Sequence, residues 1–373
     1  MKNILYFVIG SFFAPSFLWA QQPSLNSPNV SANALFLYRN SNFASDDLST
    51  TRNGIDLEEA EVAFYSDVDP YTRLNILLSL HPEYEVNGTK VEKSFVLEPE
   101  ELFVESNQVP NVTLKVGKFK ATFGKHNYLH THVFPFIDAP LGNTQLLGDE
   151  GLNDAGVSAA YLVPTDWFNE ITLQYLQGEG ENEEFNSPTP SDGVGLIHWK
   201  NLFDLSEALT MELGGSYAQG KNSIGGTTSL SGGDLTFKYR PIVGGKYHSW
   251  IFAIEYIHRN LEQPVAGARS KDEIAEAWNI WTKYQFAERW SFLLKRDEFQ
   301  ADGADSTLNT NALNNGHISK TAAAFVFQPT EFSSYQLEYD LTHGPSNSKG
   351  DVDEKAIYLR ANFTIGAHPA HSY

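Results

Sequence analysis

Residues 332–342 read FSSYQLEYDLT, and this stretch decides the fold class. Apolar and polar residues alternate in it with a period of two: Tyr335, Leu337, Tyr339 and Leu341 against Gln336, Glu338 and Asp340. Because successive side chains of a β-strand point to opposite faces, this strand has one apolar face and one charged face. We expect the apolar face to contact lipid and the charged face to line a watery interior.

The same alternation recurs along the chain, and the runs are joined in turn by a very short link and a long polar one. Short links fall at Asp69-Pro70, Pro164-Thr165, Asp204-Leu205, Ala287-Glu288 and Pro329-Thr330, and long ones at 178–192 and 343–354. This rhythm predicts an all-β fold, a transmembrane antiparallel up-and-down β-barrel of about 16 strands with short periplasmic turns and long external loops. A soluble β-sandwich fits less well, because its strands have about five or six residues and these runs have about ten.

Both ends of the chain carry targeting features. Residues 1–20 combine Lys2, an apolar segment and the sequence LWA before Gln21, which predicts a signal peptide. Residues 21–33 are rich in polar residues and are predicted to be a disordered leader, with the barrel at 34–366 and a C-terminal tail at 367–373. The amphipathic run that contains Phe363 resembles the assembly signal of bacterial outer-membrane proteins, so we expect the barrel-assembly machinery to bind it.

The composition argues against several classes of function. The chain has 26 basic and 46 acidic residues and a formal net charge of -20, whereas a nucleic-acid partner requires a basic surface. It has no cysteine, so a closed ladder of backbone hydrogen bonds must hold the fold without disulfides. Nothing in the sequence fixes a nucleophile beside a base, and we predict that the protein is not an enzyme.

The longest link, residues 120–153, is the third external loop of the predicted topology. It holds too many apolar and aromatic residues for a disordered segment, among them Phe123, Phe134 and Phe136. We therefore expect it to fold into the lumen and narrow the pore.

A local excess of basic residues surrounds the start of this loop. We predict that pore constriction and selectivity depend on Lys115, Lys118, Lys120, Lys125, Arg73 and Arg360. Rings of Lys or Arg favour anions in a narrow pore. Carboxylates share the lumen-facing phase, however, so the predicted preference for anions is weak; they are Glu59, Glu61, Glu170, Glu212, Glu255, Glu338 and Asp340.

Three histidines lie close together in the same loop, and two interpretations of them remain open. His126, His130 and His132, with Asp138, offer imidazole and carboxylate groups that suit zinc. Alternatively, the histidines hydrogen-bond the barrel wall, since their spacing is not a specific zinc signature. No cofactor is predicted apart from zinc under the first interpretation.

Part of the loop resembles known groups of proteins. Residues 116–124, VGKFKATFG, resemble the strand-to-loop segment of porins of the phosphate-selective porin O and P superfamily. The segments LHTH at 129–132, PFID at 135–138 and GDEGLNDAG at 148–156 resemble uncharacterised proteins labelled zinc-regulated TonB-dependent outer membrane receptors. The first resemblance implies a pore, and the second implies a link to zinc.

Together these observations predict an outer-membrane porin through which small polar or ionic solutes diffuse passively. The expected partners are outer-membrane lipids, the barrel-assembly machinery, small ionic solutes and, in a possible homotrimer, further copies of the chain. The alternative is a zinc-binding or zinc-responsive outer-membrane uptake protein that uses the histidine-rich loop.

Overall fold

The structure is a computed structural model that describes residues 28–42, 53–87, 90–180, 183–189, 192–264, 270–301, 316–344 and 353–366. The predicted signal peptide and C-terminal tail lie outside these residues. The first strand begins at Asn29, before the predicted start of the barrel at Ala34, and residues 21–27 of the predicted leader also lie outside the described residues. The polar residues Ser31 and Asn33 of this segment are buried on the inner face of the strand. The Asn33 amide donates hydrogen bonds of 2.7 Å to Asn362 and Thr364.

Sixteen antiparallel strands form a closed barrel in which sequence neighbours pair and β1 pairs with β16. This confirms the predicted fold class. The strands are β1 Asn29–Ser41, β2 Gly54–Asp67, β3 Arg73–Asn87, β4 Lys90–Val109, β5 Val112–Lys120, β6 Asn153–Leu162, β7 Phe168–Leu176, β8 Val194–Ser206, β9 Leu209–Lys221, β10 Thr227–Tyr239, β11 Ser249–Gln263, β12 Lys271–Ala287, β13 Trp290–Ala301, β14 His317–Thr330, β15 Ser333–His343 and β16 Asp353–Gly366.

Little helix accompanies these strands. The described links contain one short helix, α1 (Leu141–Leu147), and two 3-10 turns, Thr131–Val133 and Glu183–Phe185. Among the described residues, no helix has the length and apolar character that a bilayer span requires.

Short turns alternate with longer links along most of the chain, but β4 begins three residues after the end of β3, where a long link is expected, and β10 and β11 are joined by residues 240–248, where a short one is expected. Two of the predicted turns are also displaced. Asp204-Leu205 lies within β8, and Pro329-Thr330 forms the end of β14. Pro329 lacks an N–H group, and the pairing of β14 with β15 shifts between Phe327 and Thr330, so the proline lies in an irregularity of the ladder. A proline in a strand is therefore not always a turn.

The two faces of the strands differ as the alternation predicts. On β15, Leu337 is 48% exposed on the outside, whereas Glu338 is completely buried inside. At the short-turn end, aromatic rings form a row across β13 to β16, with ring-centroid distances of 4.6 Å for Trp290–Phe327, 6.4 Å for Phe327–Tyr335 and 5.9 Å for Tyr335–Phe363. An outward apolar band bordered by aromatic rings is typical of barrels in the outer membrane. The protein is therefore located in the outer membrane.

The largest apolar cluster among the described residues lies inside the barrel. Inward-facing apolar residues near the long-link ends of β7 to β14, such as Leu196, Leu230 and Phe299, pack against residues of the third loop. From the loop, Phe123, Leu146 and Leu147 enter this cluster and are at most 1% exposed. The alternation of the strands predicts a watery, polar interior, but this part of the lumen is packed with apolar side chains.

Candidate pore constriction

The third external loop, residues 121–152 between β5 and β6, lies inside the barrel, and we call it the constriction loop. It leaves the wall at β5 and reaches across to β9, where Gly124 N donates to Ser216 Oγ at 2.8 Å. Gly124 has a φ of 59°, and a Cβ there would collide with the Glu255 carboxylate, so this close approach to the wall requires glycine.

The next two residues anchor the loop to β9, β11 and β12. Lys125 Nζ lies 2.7 Å from Glu212 Oε1, and its backbone N–H donates to Glu255 Oε1. His126 Nδ1 lies 2.5 Å from Glu255 Oε2, while Trp281 Nε1 donates to His126 Nε2 at 3.1 Å. Since Nε2 accepts this bond, the proton of the imidazole lies on Nδ1.

A β-bulge on the opposite wall holds His130. The register between β3 and β4 shifts between Leu77 and Leu78, which leaves Glu100 as an extra residue and turns both Glu100 and Glu101 towards the loop. Glu100 Oε1 lies 2.9 Å from His130 Nδ1, and Glu101 Oε2 lies 3.2 Å from His130 Nε2. Burial alone would lower the pKa of His130, but the two carboxylates raise it well above its usual value, so this histidine is a cation.

His132 is stacked on His130 but remains neutral. The two rings are 6.0 Å apart and nearly parallel, and His132 Nδ1 lies 2.8 Å from Glu61 Oε1 on β2. Burial and the positive charge of His130 lower the pKa of His132 to about 3. In this cluster Glu61, Glu100 and His130 each present a ligand atom, and these atoms lie within 4.8 Å of one another.

Beyond the histidines, the loop crosses to β13 to β16. Arg360 Nη2 donates to Phe134 O at 3.0 Å, and Ile137 N donates to Glu338 Oε2 at 3.2 Å. Asp138 pairs with Lys320, and Lys295 donates to the Asp138 carbonyl at 3.3 Å. Burial would raise the pKa of Asp138, but these two ammonium groups lower it to about 2, so its carboxylate stays ionised.

The predicted zinc ligands do not form one site. His130 and His132 are neighbours, but His126 is bound to Glu255 and Trp281, and Asp138 is bound to Lys320. The loop spreads these residues over opposite walls, so the predicted set of four is wrong as a single cluster. Each histidine instead meets a wall carboxylate, as in the alternative interpretation.

The six basic residues predicted at the constriction fall into different environments. Lys120 and Lys125 are buried in ion pairs with Glu100 (3.0 Å) and Glu212 (2.7 Å), and Arg360 binds the loop backbone. Lys115 faces the lumen, where its ammonium lies 4.1 Å from the centre of the Phe103 ring. These four residues lie at or near the constriction loop.

Lys118 and Arg73 lie elsewhere, and their assignment to the constriction is wrong. Lys118 pairs in register with Leu102 and shares the outward phase of Leu114 and Val116, and it does not line the cavity beside the loop, although it borders a second pocket with Glu100 and Glu150. Its ammonium donates to Pro99 O at 3.0 Å. Arg73 is half exposed at the short-turn rim, where it pairs with Asp67 at 2.9 Å.

A cavity of about 450 Å³ remains between the constriction loop and the wall formed by β2 to β8. Tyr128 and His130 contribute the loop side of this cavity, and Tyr65 and Asn75 mark its extent towards the short turns. Charged residues of both signs line it: besides the cationic His130, they are Glu61, Glu101, Glu170, Lys115, Lys120 and Lys200.

Two features of the site were missed in the sequence. Glu100 and Glu101 are outside the predicted set of site residues, although they follow Pro99, and a proline within a strand is a recognisable signal for a bulge. The second 3-10 turn was also missed: its Glu184 forms a buried ion pair of 2.6 Å with Arg259 of β11. A second external link therefore also enters the barrel.

Comparison with known proteins supports the fold. No family model matches the chain. An uncharacterised protein of Aquifex aeolicus (strain VF5) is 27% identical over 359 residues, which cover 86% of this chain and 71% of that protein.

The similar solved structures are outer-membrane proteins. The outer membrane channel DcaP of Acinetobacter baumannii has a TM-score of 0.59 at 11% identity, with 91% of this chain and 97% of that chain covered. The anion-selective porin of Comamonas acidovorans has a TM-score of 0.59 at 10% identity, with 91% and 99% covered. A trimer form of OmpT, an outer membrane protein of Vibrio cholerae, has a TM-score of 0.54 at 11% identity, with 91% and 99% covered.

This chain has the fold of outer-membrane porins and channels. Membership of the phosphate-selective porin O and P superfamily, and the resemblance to zinc-regulated TonB-dependent receptors, stay predictions.

Proposed function

We propose that the protein is a passive channel for small polar or ionic solutes in the bacterial outer membrane. The observation that carries this proposal is the constriction loop, which is fixed to opposite walls of the barrel yet leaves a charged cavity beside β2 to β8. A fixed inward loop narrows a barrel without any moving part, so diffusion needs no energy source. The expectation that the protein is not an enzyme stays a prediction.

A weak preference for anions is part of the proposal, and it depends on fewer basic residues than the six predicted from the sequence. Lys115 and Lys200 line the cavity, whereas Lys118 faces outward and Lys125 is neutralised by Glu212. Because Glu61, Glu101 and Glu170 line the same cavity, the two signs of charge nearly balance. We expect a reversal potential only slightly on the anion side in a salt gradient.

Single-channel recording of the purified, folded barrel in a planar bilayer tests the proposal. We expect ohmic current in potassium chloride that persists in the presence of a chelator. Heat-modifiable migration in gel electrophoresis shows that the barrel is folded. A folded barrel that conducts no current would contradict the channel proposal. Native mass spectrometry of the same sample tests the proposed homotrimer. The substitution Phe363→Ala tests the proposed recognition by the barrel-assembly machinery, and we expect it to lower the amount of folded barrel in the outer membrane.

A second candidate function is zinc binding, favoured by the cluster of Glu61, Glu100 and His130. Glu100 is buried, and its Oε2 atom accepts no hydrogen bond from the part of the chain that the structure describes. Zinc would have to displace the ammonium of Lys120, 3.0 Å from Glu100, and the proton of His130, so its binding would strengthen as pH rises.

Isothermal titration with zinc chloride tests this second function. Submillimolar affinity that is lost in Glu100→Gln but kept in Glu98→Gln, a more exposed carboxylate of the same strand, would support it. Absence of saturable zinc binding to the wild-type barrel would exclude it.

A further inference from the structure

A second, smaller cavity lies on the external side of the constriction loop. It has a volume of about 270 Å³ and lies between the external half of β4, the end of the loop and the link that follows β7. Glu98 and Glu150 line it, and their side chains are 35% and 42% exposed, so this outer cavity opens to the external solvent. The cavity of about 450 Å³ described above extends from the loop towards the short turns, and we call it the inner cavity.

A buried ion pair separates the two cavities. Glu100 lines the outer cavity and Lys120 lines the inner one, and Lys120 Nζ lies 3.0 Å from Glu100 Oε1. The bulge in β4 explains this arrangement, because it places Glu100 at the outer cavity and the next residue, Glu101, at the inner one. His130 contacts both carboxylates. We call Glu100, Lys120 and His130 the barrier, and each of them is at most 7% exposed.

The two sides of the loop offer very different routes to a solute. On the side of β7 to β14, Phe123, Leu146 and Leu147 are packed among apolar wall residues, so passage there would require a core to repack. Beside β4 and β5, the side chains of the barrier lie between two cavities that already contain space. A solute therefore crosses the loop with the least rearrangement at the barrier.

Lys120 has a second carboxylate within reach. Its Nζ lies 3.8 Å from Glu150 Oε2 and donates to Glu150 O at 3.1 Å. Glu100 also has a second partner, since its Oε1 lies 2.9 Å from His130 Nδ1. The Lys120 side chain can therefore turn from Glu100 to Glu150 while every charge of the group keeps an oppositely charged neighbour. Such a movement costs much less free energy than leaving a buried charge unpaired.

We propose that Lys120 is the gate of this channel, and that solutes pass between the outer and the inner cavity when its ammonium turns from Glu100 to Glu150. This inference rests on the proposed channel function and specifies where solutes cross the constriction. Lysine has a flexible four-carbon stem, so the gate opens while the backbone of the loop stays in place. Side-chain rotations are much faster than a bilayer recording, so the gate affects the mean conductance of the open channel.

Single-channel recording in planar bilayers tests the gate with two variants that should act in opposite directions. Lys120→Ala removes the gating side chain, and we expect the conductance in potassium chloride to rise about twofold. Glu150→Gln removes the alternative partner, so the ammonium stays on Glu100. We expect the conductance to fall about twofold, as the loss of one partly exposed ion pair allows.

A matched control separates the gate from the charge of the channel mouth. The outer cavity is lined by several carboxylates and by Lys118, so Glu150→Gln also changes the charge there. Glu98→Gln removes the same charge from the same cavity, but Glu98 lies beside His81, at 3.5 Å, and not beside Lys120. Salt screens charges at an open mouth over about 8 Å, so the conductance of Glu98→Gln should change much less than that of Glu150→Gln.

The outcomes distinguish this inference from the channel proposal. Equal changes in Glu150→Gln and Glu98→Gln, or wild-type conductance in a folded Lys120→Ala barrel, would overturn the gate and leave the channel intact. Failure of the folded wild-type barrel to conduct would overturn both. Glu150 is partly exposed, so Glu150→Gln should fold even where Lys120→Ala does not, and its comparison with Glu98→Gln then decides alone.

Discussion

The indole Nε1 of Trp281 donates a hydrogen bond of 3.1 Å to Nε2 of His126, across 155 residues of sequence. This bond joins the constriction loop to β12, on the opposite side of the barrel from β5 and β6. It also fixes the tautomer in which His126 Nδ1 binds Glu255, so one indole nitrogen orients two contacts.

The first prediction concerns this bond. Trp281→Phe keeps an aromatic ring but removes the donor, and we expect the free energy of unfolding to fall by about 1 kcal/mol. Urea unfolding followed by circular dichroism in lipid vesicles measures the change. Trp278→Phe, on the outward face of the same strand, is the control. Equal losses in the two variants would show that the bond to His126 contributes nothing specific.

The second prediction concerns the bulge carboxylate Glu100. Glu100→Gln leaves the buried cations Lys120 and His130 without their shared partner, and we expect a loss of roughly 3 kcal/mol in the free energy of unfolding. Glu98→Gln, whose carboxylate is partly exposed beside His81, should lose less than about 1 kcal/mol. A Glu100→Gln variant as stable as Glu98→Gln would contradict the anchoring role of the bulge.

The third prediction is a pH dependence that originates at His130. The pKa of this histidine is raised in the folded protein, so its contribution to stability is complete below the unfolded pKa of about 6.5 and is lost as pH rises through the folded pKa. The wild-type protein should therefore lose free energy of unfolding in alkaline solution relative to neutral. His130→Gln should be less stable at neutral pH and lack this component. Parallel curves for the two proteins would refute the assignment.

The fourth prediction separates two neighbouring lysines by the face they occupy. Lys115→Glu places a negative charge in the cavity and should shift the reversal potential towards cations. Lys118→Glu alters an outward side chain and should leave the reversal potential unchanged, although both substitutions change the net charge equally. Bilayer recordings in a salt gradient compare them, and identical shifts would mean that the position of the charge does not matter.

The fifth prediction tests the outer face. Leu337→Arg places a charge against lipid and should cost about 2 to 4 kcal/mol of the free energy of unfolding if the site is near the midplane. Asn75→Arg, which points into the cavity, should be mild because water and space are available there. Glu338 is not a suitable lumen control, since it is buried and accepts a hydrogen bond from Ile137. Similar losses at positions 337 and 75 would contradict the assignment of faces.

The fold could be predicted because it depends on a local rule. Alternation in a strand such as β15 is visible within a few residues, and closure into a barrel follows from many such strands. The same rule places Lys118 on the outward face with Leu114 and Val116, whereas the excess of basic residues around the start of the loop predicts it at the constriction.

The site was less predictable because its contacts are long-range. His126 meets Glu255 and His130 meets Glu100 only after the loop has crossed the barrel, and no local pattern encodes which wall each will reach. The bulge at Glu100 interrupts the period of two by which residues of a strand are assigned to its inner or outer face. The composition of the loop suggests that Phe123, Leu146 and Leu147 are buried inside the barrel. It does not indicate which strands they pack against.

The packed apolar cluster between the constriction loop and β7 to β14 has a consequence for how this protein can change over generations. On that side, each substitution must preserve volume, as in the core of a soluble enzyme, because neighbouring side chains fill the space on both sides. Beside β2 to β8, the wall faces a cavity, where side chains that do not hold the loop, such as Asn75 and Glu170, can be exchanged without repacking. New transport preferences can therefore arise on one half of the barrel while the other half keeps the loop in place.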